Sequence, residues 1–343
     1  MTGSPQRVTM AAIAAAAEVS VPTVSKVLNG RGDVAEETRT RVQSVLGELG
    51  YARNYRRKTQ PARIIDLLCH ELSPWAAEII SGASAVALTA KSRIAVTMVG
   101  SNADVNRWLK GLATSRTDGV ILVLTELSPA HRHRLATLRV PMVIVDPVGR
   151  PDPEVLTIGA ANWAGGLAAT EHLLQLGHQR IATVTGHLDL PCSQARLDGY
   201  RIALERAGIG FDPELVKTGD FHYGSALTAA LDLLRLPHRP TAIFAASDVQ
   251  AMGVYEAARQ NGLRIPEDLS VVGFDDVPMA EWVSPPLTTM RQPLAEMATM
   301  ATRTLLAGGT NGLQNRVELA TALVVRSSTQ APRQPAARKR SRA

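Results

Sequence analysis

The sequence predicts a small all-α N-terminal domain joined to an α/β core of two doubly wound parallel sheets. The chain has 343 residues, enough for two or three domains. Residues 9–50 place apolar side chains at helical spacing. From residue 64 onward, short apolar runs alternate with amphipathic stretches, which is the pattern of parallel strands covered by helices on both faces. More than ten such elements exceed one sheet, so we expect two subdomains.

Three short helices are predicted in residues 9–50. Thr9 is placed to cap the first helix, which continues from Met10 to about Ala17. Ser20 is placed to cap the second, Val21–Leu28. The third runs from about Glu36 to Leu49, and Gly50 is suited to end it.

The core begins after a basic segment, residues 51–63, which has no apolar pattern and is predicted to be a linker. Seven apolar runs predict strands at Ile64–Cys69, Ile94–Val99, Gly119–Leu124, Met142–Val145, Ile181–Val184, Ala242–Ala245 and Ser270–Phe274. Helical patterns lie near residues 76–90, 104–114, 129–138, 163–176, 194–207, 224–235 and 248–261.

The formal net charge of +6 is concentrated at the two ends of the chain. Residues 1–60 carry a net +4, residues 61–330 a net −3, and residues 331–343 a net +5. A basic end suits a polyanion such as nucleic acid or a membrane surface. The last 13 residues lack an apolar stripe, so we expect a basic, disordered tail.

Several classes of protein are excluded by composition. With 45% apolar and 20% charged residues the chain is not a disordered protein. No apolar run reaches the ~18 residues of a membrane span, and the N-terminus has no signal-peptide pattern. The two cysteines, Cys69 and Cys192, are isolated, so we expect no disulfide and a reducing cytoplasm. No metal, nucleotide or hydrolase motif occurs, and we expect no cofactor and no catalysis.

The order of residues from Thr9 to Asn29 fits a helix-turn-helix, whose second helix enters the DNA major groove. Lys26 is suited to donate to guanine, whereas Val21 and Pro22 offer apolar contact, for example to a thymine methyl. Thr23, Ser25 and Asn29 are short polar groups suited to phosphates. The alternative is a three-helix packing module with solvated polar side chains.

The N-terminal stretch VTMAAIAAAAEVSVPTVSKVLNGRGDVAEETRTRVQSVLGELGY resembles the DNA-binding domain of LacI/GalR-type repressors. The core segments IGAANWAGGLAATEHLLQLGHQRIATVTG, ARLDGYRIAL, AIFAASDVQAMGVYEA, RIPEDLSVVGFDD and SPPLTTMRQP are similar to that family's core. The resemblance implies a homodimer on a palindromic DNA operator, switched by a small effector in a cleft. The core would then resemble periplasmic sugar-binding proteins.

The domains expected from this resemblance are a DNA-binding domain at residues 1–50, a hinge at 51–63, an effector-binding and dimerisation core at 64–330, and the tail at 331–343. The N-subdomain would take about 64–159 with 291–316, and the C-subdomain about 160–290 with 317–330. The candidate DNA-binding residues are Thr9, Ser20, Val21, Pro22, Thr23, Ser25, Lys26, Asn29, Tyr51, Arg53, Asn54 and Arg57.

Three positions depart from the family pattern. Glu18 stands where the family usually has Gly, and a non-Gly residue in the left-handed region costs about 1 kcal/mol. Ala35 stands where Ser often caps the third helix, which loses ~1 kcal/mol. Gln60 stands where the family has a Leu that wedges into the minor groove, and Gln cannot unstack a base step in the same way.

Acidic side chains follow three of the predicted strands, namely Asp146, Asp248 and Asp275. Ligands bind at the carboxyl ends of parallel strands, and carboxylates with a guanidinium suit polyols because they accept from and donate to hydroxyls. Resemblance implies that Arg196, Asp248 and Asp275 bind the effector.

Two aromatic residues, Phe221 and Trp75, match aromatic positions at the family's ligand face and cleft entrance. Each candidate in the cleft also has a structural interpretation. Asp248 could cap a helix, Asp146 could end a strand in a turn, and Arg196 could pair with Asp198 on a helix surface. Phe221 and Trp75 could be core aromatics.

The favoured function is an effector-controlled repressor of sugar-utilisation genes that binds double-stranded operator DNA as a cytoplasmic homodimer, with a mono- or oligosaccharide as effector and no membrane partner. One alternative is a purine-type regulator in which the ligand strengthens DNA binding. Others are a sugar-binding or transport protein and, because paired carboxylates hydrolyse glycosides, a sugar-active enzyme. The sign of the effector's influence on DNA affinity separates the first two.

Overall fold

The chain forms two compact units, Met1–Pro61 and Ala62–Ala343. The computed structural model describes residues 9–29, 31–49, 63–112, 117–125, 127–149, 154–309 and 315–333. The predicted fold class is confirmed, since the described part of the first unit is all-α and the second unit contains two sheets of parallel α/β topology.

Three helices lie in the described part of the N-terminal unit, α1 (Met10–Ala16), α2 (Val21–Leu28) and α3 (Glu36–Glu48). They enclose a small core whose fully or nearly fully buried members are Ile13, Ala14, Ala17, Val24, Val27, Val42 and Val45. Thr9 and Ser20 cap α1 and α2 as predicted, with their hydroxyls accepting from the amides of Ala12 and Thr23. Glu18 adopts φ +52 in the turn, and Ala35 provides no side-chain cap for α3.

The first sheet of the core has six parallel strands in the order β11-β5-β4-β3-β1-β2. In chain order this half begins with β1 (Ile64–Cys69), α4 (Pro74–Thr89), β2 (Arg93–Met98), α5 (Asn102–Leu112), β3 (Gly119–Val123), α6 (Pro129–Thr137), β4 (Met142–Val145) and β5 (Leu156–Ala160). The central strands β1 and β3 are buried nearly throughout, because helices cover both faces.

The second sheet has the order β12-β10-β9-β8-β6-β7, with only the β10–β12 pair antiparallel among the described strands. Its elements in the chain are α7 (Asn162–Gln175), β6 (Ile181–Thr185), α8 (Pro191–Arg206), a 3₁₀ turn (Pro213–Leu215), β7 (Val216–Thr218), α9 (Tyr223–Leu234), β8 (Ala242–Ala245), α10 (Asp248–Gln260), β9 (Ser270–Asp275), α11 (Met279–Trp282) and β10 (Thr288–Arg291).

The chain crosses between the two subdomains three times, after β5, after β10 and after β11. It returns to the first subdomain as α12 (Leu294–Leu306) and β11 (Arg316–Leu319), and ends the second sheet with β12 (Ala322–Val324). Helix α12 packs into the first core, where Met297, Ala298 and Ala301 are fully buried. The third crossing therefore falls after Leu319, three residues later than the expected boundary at 316, because residues 316–319 pair in parallel with β5.

All seven predicted strands are present, and the described residues form five further strands that were not predicted. These are β5, β7, β10, β11 and β12. Strand β7 has three residues and β12 has three, and both are edge strands whose side chains are only partly buried. Among the described residues, no single helix has the length and apolarity of a membrane span, although α1 and α2, bent by 101°, pass that test when counted together.

Candidate functional site

The second helix of the N-terminal unit presents a polar and apolar outer face. The exposed side chains of α2 and its two caps are those of Ser20, Val21, Pro22, Lys26 and Asn29. For the apolar Val21, 43% of the surface is exposed. Thr23 and Ser25 are half-buried, whereas the opposite face, with Val24 and Val27, fills the core. Pro22 occupies the first turn, where a missing N–H is tolerated. The predicted contact residues of α2 are therefore exposed or half-buried, and the capping residue Thr9 of α1 is exposed as well.

Lys26 makes a contact that the sequence did not indicate. Its Nζ atom donates to Oδ2 of Asp33 at 2.8 Å, and both side chains are more than half exposed. This hydrogen bond lowers the pKa of the Asp33 carboxyl, with the positive charge of Lys26 adding to the effect. Asn29 also has a local partner, since its Nδ2 donates to the Ser25 hydroxyl at 3.3 Å.

The predicted hinge contacts fall outside the described residues. Tyr51, Arg53, Asn54 and Arg57, together with Gln60, belong to this set. Their roles in DNA binding stay predictions from the sequence.

The core contains a cavity of about 550 Å³ whose walls come from both subdomains. The first subdomain supplies the ends of β1, β3 and β4 and the start of α4, and the second supplies the starts of α8, α9 and α10. Of the six predicted effector residues, five line the cavity: Trp75, Asp146, Arg196, Phe221 and Asp275.

Arg196 is the buried cation of this cavity, with 3% of its surface exposed. It lies in the second turn of α8, five residues after Pro191. Its Nε donates to Oδ1 of Asn162 at 2.8 Å, and Nη1 donates to the backbone carbonyl of Ala246. The guanidinium stacks over the Phe274 ring at 3.7 Å. These contacts fix its orientation, and the surface pairing with Asp198 does not form, since Asp198 pairs with Arg201.

Asp275 ends β9 inside the cavity at 5% exposure and adopts φ +123. Its Oδ1 atom accepts from Nε2 of Gln292 at 2.6 Å and lies 4.0 Å from Nη1 of Arg196. Burial raises the pKa of Asp275 to about 7, although the Arg196 charge opposes this shift. Gln292 lies in the segment after β10 that connects the two subdomains, so this connection positions the Asp275 carboxyl group.

Asp146 faces the cavity from the first subdomain, directly after β4, with φ +53 and 5% exposure. Burial raises the pKa of its carboxyl, while the Arg196 charge and a hydrogen bond from Asn162 lower it. Asp146 can therefore both end strand β4 in a turn and contribute to an effector site, because the turn directs its carboxyl group toward Arg196.

The structure does not bring Asp248 to the cavity surface. Asp248 is the first residue of α10, fully buried, and the helix cap is the preceding Ser247, whose hydroxyl accepts from the Gln250 amide at 3.1 Å. The Asp248 carboxylate accepts from the backbone N–H of Val277 at 2.9 Å and from the Thr289 hydroxyl at 2.5 Å. Burial and the nearby Asp275 raise its pKa. Asp248 thus ties α10 to the loop after β9 and to β10, behind the cavity wall.

The two aromatic candidates line the cavity from opposite subdomains. Trp75 is the second residue of α4, is 8% exposed and belongs to the first core as well as to the cavity wall. Its role in effector binding stays a prediction. Phe221 adopts φ +69, which turns its ring inward; the ring lies 5.7 Å from the Arg196 guanidinium carbon. A methyl group at Gly186 would approach this ring to 2.1 Å, so the ring packs directly on that glycine.

Several cavity residues were missed from the sequence. They are Cys69, His70, Glu71, Asp220, His222, Ser247 and Cys192. Their common signal is position, since each lies at the end of a strand or the start of a helix at the same edge of the two sheets. Gln292, Asn162 and Thr289 hold the cavity groups without lining it, and nothing in a single sequence marks them.

The cavity can bind a polyhydroxylated ligand. The carboxyl groups of Asp146 and Asp275 accept from hydroxyl groups, and the Arg196 guanidinium donates in a fixed fork. The faces of Trp75 and Phe221 suit the C–H faces of a sugar ring. Among the described residues, no group of three or more His, Cys, Asp or Glu side chains is arranged to hold a metal ion.

Comparison with known proteins supports both units separately. Residues 9–54 match the model of bacterial regulatory proteins of the lacI family, and residues 170–329 match a periplasmic binding protein-like domain. The HTH-type transcriptional regulator CelR of Thermobifida fusca is 35% identical over 94% of this chain and 98% of its own length. The chain belongs to the LacI family. It is a DNA-binding transcriptional regulator with the helix-turn-helix and two-subdomain core of that family.

Other LacI-family proteins show the same correspondence. The ribose operon repressor of Escherichia coli strain K12 is 34% identical over 93% of this LacI-family chain and 99% of its own length. A solved complex of CelR with cellobiose matches with a TM-score of 0.70 and 34% identity over 94% of this chain and all of that one. The lac repressor dimer bound to operator and the anti-inducer ONPF matches with a TM-score of 0.72 and 27% identity over 95% of this chain and all of that one.

Proposed function

We propose that this LacI-family regulator is a cytoplasmic homodimeric repressor of sugar-utilisation genes, and that a neutral sugar bound in the core cavity releases it from a palindromic operator. The observation that carries the proposal is the cavity itself. One buried guanidinium, Arg196, lies among the carboxyl groups of Asp146 and Asp275 and two aromatic rings, between two subdomains that can close over a ligand. The protein acts by binding and has no catalytic role.

The roles of the cavity residues follow from their contacts. Asp146, Asp275 and Arg196 bind hydroxyl groups, and Phe221 and Trp75 pack against the sugar ring. Asp248 acts as a positioning residue, because both of its carboxylate oxygens already accept hydrogen bonds from Val277 and Thr289. A negatively charged sugar, such as a sugar phosphate, is disfavoured because the cavity is lined by four carboxyl groups, of Glu71, Asp146, Asp220 and Asp275, and His222 is already paired with Glu71.

DNA contacts are assigned to the outer face of α2 and to the hinge. Val21, Pro22 and Lys26 contact base edges, and Thr9, Ser20, Thr23, Ser25 and Asn29 contact phosphates. Tyr51, Arg53, Asn54 and Arg57 extend the interface into the hinge. Exposure of the α2 side chains supports this assignment.

The homodimer is supported by exposed apolar side chains in the first subdomain. Val96 and Met98 lie on the edge strand β2, and Leu88 lies on the neighbouring α4, with 44%, 62% and 79% of their surfaces exposed. Exposed apolar groups at a sheet edge favour association with a second copy of the chain. Light scattering coupled to size-exclusion chromatography tests this, and Met98→Asp should shift the particle toward a monomer.

The test of the effector role combines two measurements on the full chain. Thermal unfolding is followed with cellobiose, ribose, other mono- and oligosaccharides and purines, since a bound ligand raises the apparent stability. Affinity for an operator obtained by in vitro selection is then measured by fluorescence anisotropy with and without the stabilising ligand. We expect a neutral sugar to raise the melting temperature and to weaken operator binding. A ligand that strengthens operator binding would contradict release by the effector.

A further inference from the structure

The mouth of the cavity is bridged by an ion pair between the two subdomains. Glu71 follows β1 in the first subdomain, and His222 directly precedes α9 in the second. Nε2 of His222 lies 3.0 Å from Oε2 of Glu71, across 151 residues of sequence. Both side chains line the cavity and are slightly more than half exposed. This contact can form only when the two lips of the cleft are close together.

His222 is held in place from its own subdomain by Asp220. The Nδ1 atom of His222 lies 3.0 Å from the Asp220 backbone oxygen, and the His222 backbone N–H donates to Asp220 Oδ1 at 2.9 Å. The Ser225 hydroxyl also donates to this carboxylate. The ring is thus oriented toward Glu71 before any contact across the cleft is made.

Both nitrogens of the His222 ring face oxygen atoms that only accept hydrogen bonds. A neutral imidazole has one N–H and can satisfy only one of the two, whereas the protonated ring donates to Glu71 and to the Asp220 carbonyl at the same time. The contact geometry therefore fits the protonated form of His222.

The residue before His222 connects this pair to the cavity interior. Phe221 has φ +69, which turns its ring inward against Gly186 while His222 points outward to Glu71. A ligand that packs against the Phe221 ring acts on the same short loop that presents His222. Binding inside the cavity and the contact at its mouth are therefore mechanically connected.

We propose that Glu71 and His222 form a clasp that holds the two subdomains closed over the cavity and thereby sets the affinity for the effector. The inference rests on the proposed function only for the identity of the ligand, because the contact itself joins two side chains of this chain. A closed cleft is one state of an equilibrium, so removing the clasp shifts the population toward open forms.

The clasp also makes closure depend on pH. The charged groups that face His222 are Glu71 from the loop after β1 and Asp220 from its own loop, and the hydrogen bond with Glu71 raises the pKa of His222 above its ordinary 6.5, while partial burial opposes the shift. Since the charged form makes the clasp, its contribution is complete below the ordinary pKa and is lost as the pH rises through the raised value. The cavity also contains His70 and His187, which do not bridge the two lips in this structure.

The experiment uses the two cysteines of the chain as reporters of closure. Cys69 and Cys192 both line the cavity, from opposite subdomains, and both are at least 92% buried. The full-length, ligand-free protein is treated with iodoacetamide at pH 6 and at pH 8.5, and alkylation of each cysteine is followed by mass spectrometry. Wild type is compared with Glu71→Gln and His222→Gln at each pH. Cys192 is the reporter of closure, because the charge of Glu71 itself raises the pKa of the Cys69 thiol and its removal would change the reactivity of Cys69 directly.

At pH 6 we expect both variants to be alkylated at Cys192 about two- to fivefold faster than wild type, the factor that an exposed ion pair contributes to an equilibrium. At pH 8.5 the ratio should be smaller than at pH 6, because a smaller fraction of His222 is protonated in wild type. The matched control is Glu171→Gln, which removes an ion pair with Arg206 between α7 and α8 without crossing the cleft. Its alkylation rate should equal that of wild type.

Wild-type rates for both clasp variants at pH 6 would overturn the proposal, as would an increase of the same size in the control or at both pH values. Calorimetric titration with cellobiose adds an independent readout. If cellobiose binds wild type, the clasp variants should bind it more weakly at pH 6 by a similar factor. If alkylation follows the expected pattern but the protein binds no sugar, the clasp proposal stands and the proposed effector is wrong.

Discussion

The ammonium group of Lys26 lies 2.8 Å from the carboxylate of Asp33, on the outer face of the N-terminal unit. The residue best suited to donate to a guanine is therefore already paired with a neighbouring carboxylate. Both side chains are more than half exposed, so the pair is open to water and easily exchanged. Base contact by Lys26 requires that this hydrogen bond be replaced by one to DNA.

Replacing Lys26 by Ala should weaken binding to the specific operator by about 1–3 kcal/mol, the range of a good side-chain contact to a base. Replacing Asp33 by Asn should instead strengthen DNA binding, because it frees Lys26 and removes a negative charge near phosphates. Fluorescence anisotropy against the selected operator and a scrambled duplex measures both. Lys110→Ala, an exposed lysine on α5 of the core, serves as the control and should leave the affinity unchanged. If Lys26→Ala binds the operator as tightly as wild type does, Lys26 does not contact the bases.

Asp275→Asn should abolish or strongly reduce the effector response while operator binding survives. The amide keeps an oxygen that can accept from Gln292 Nε2, so the loop after β9 should keep its conformation, but the charge near Arg196 is lost. A carboxylate is a stronger acceptor for sugar hydroxyls than an amide oxygen. Calorimetry with the identified sugar and anisotropy with operator measure the two properties separately. A variant that responds at the wild-type sugar concentration would reject the assignment of Asp275 to the effector site.

The elements that the sequence predicts best are those with one strong local signal. Thr9 and Ser20 have the residue types of helix caps and do cap α1 and α2. Asp146 and Asp275 follow predicted strands and do line the cavity, and Arg196, which the family resemblance indicated, lines it too. For the caps and the two carboxyl groups, the residue type and its position at the end of an element are sufficient for the prediction.

The residues that escaped prediction depend on contacts between distant parts of the chain. Asp248 has the position of a strand-end ligand, yet the N–H of Val277 and the hydroxyl of Thr289 direct its carboxylate away from the cavity surface. Strand β11 pairs with β5, although 155 residues lie between the end of β5 at Ala160 and the start of β11 at Arg316. The local sequence of β11 therefore does not indicate the subdomain to which this strand belongs. The clasp between Glu71 and His222 has the same long-range character.

The stability of the ligand-free protein should fall as the pH rises from about 4 to 7. Burial raises the pKa of Asp275 to about 7 from its ordinary 3.8, so the folded state binds this proton more tightly than the unfolded state. The contribution is complete below pH 3.8, is lost as the pH rises through the folded pKa, and is constant above it. The melting temperature measured by differential scanning calorimetry should therefore fall less between pH 5 and pH 8 in Asp275→Asn than in wild type. Equal losses in the two proteins would contradict an uncharged Asp275 at pH 5.

The helix that carries Arg196 depends on a close approach to its neighbour. A methyl group at Gly199 of α8 would lie 2.3 Å from the backbone oxygen of Trp163 and 2.5 Å from the backbone nitrogen of Leu167, both in α7. Because these atoms are backbone, the two helices must move apart to accept Gly199→Ala. We expect a loss of about 1–3 kcal/mol in the free energy of unfolding, the usual cost of an extra methylene in a close-packed interior.

Separation of α7 and α8 should also weaken effector binding, because Arg196 on α8 donates to Asn162 on α7. The matched control is Gly224→Ala on α9, where an added methyl group meets no atom within 4 Å. That variant should be neutral or more stable by up to about 1 kcal/mol, since alanine loses less conformational freedom in a helix than glycine. Denaturant unfolding and sugar calorimetry on both variants measure the difference. Equal stability of the two variants would show that the α7–α8 contact tolerates a side chain and that Arg196 is held by its hydrogen bonds alone.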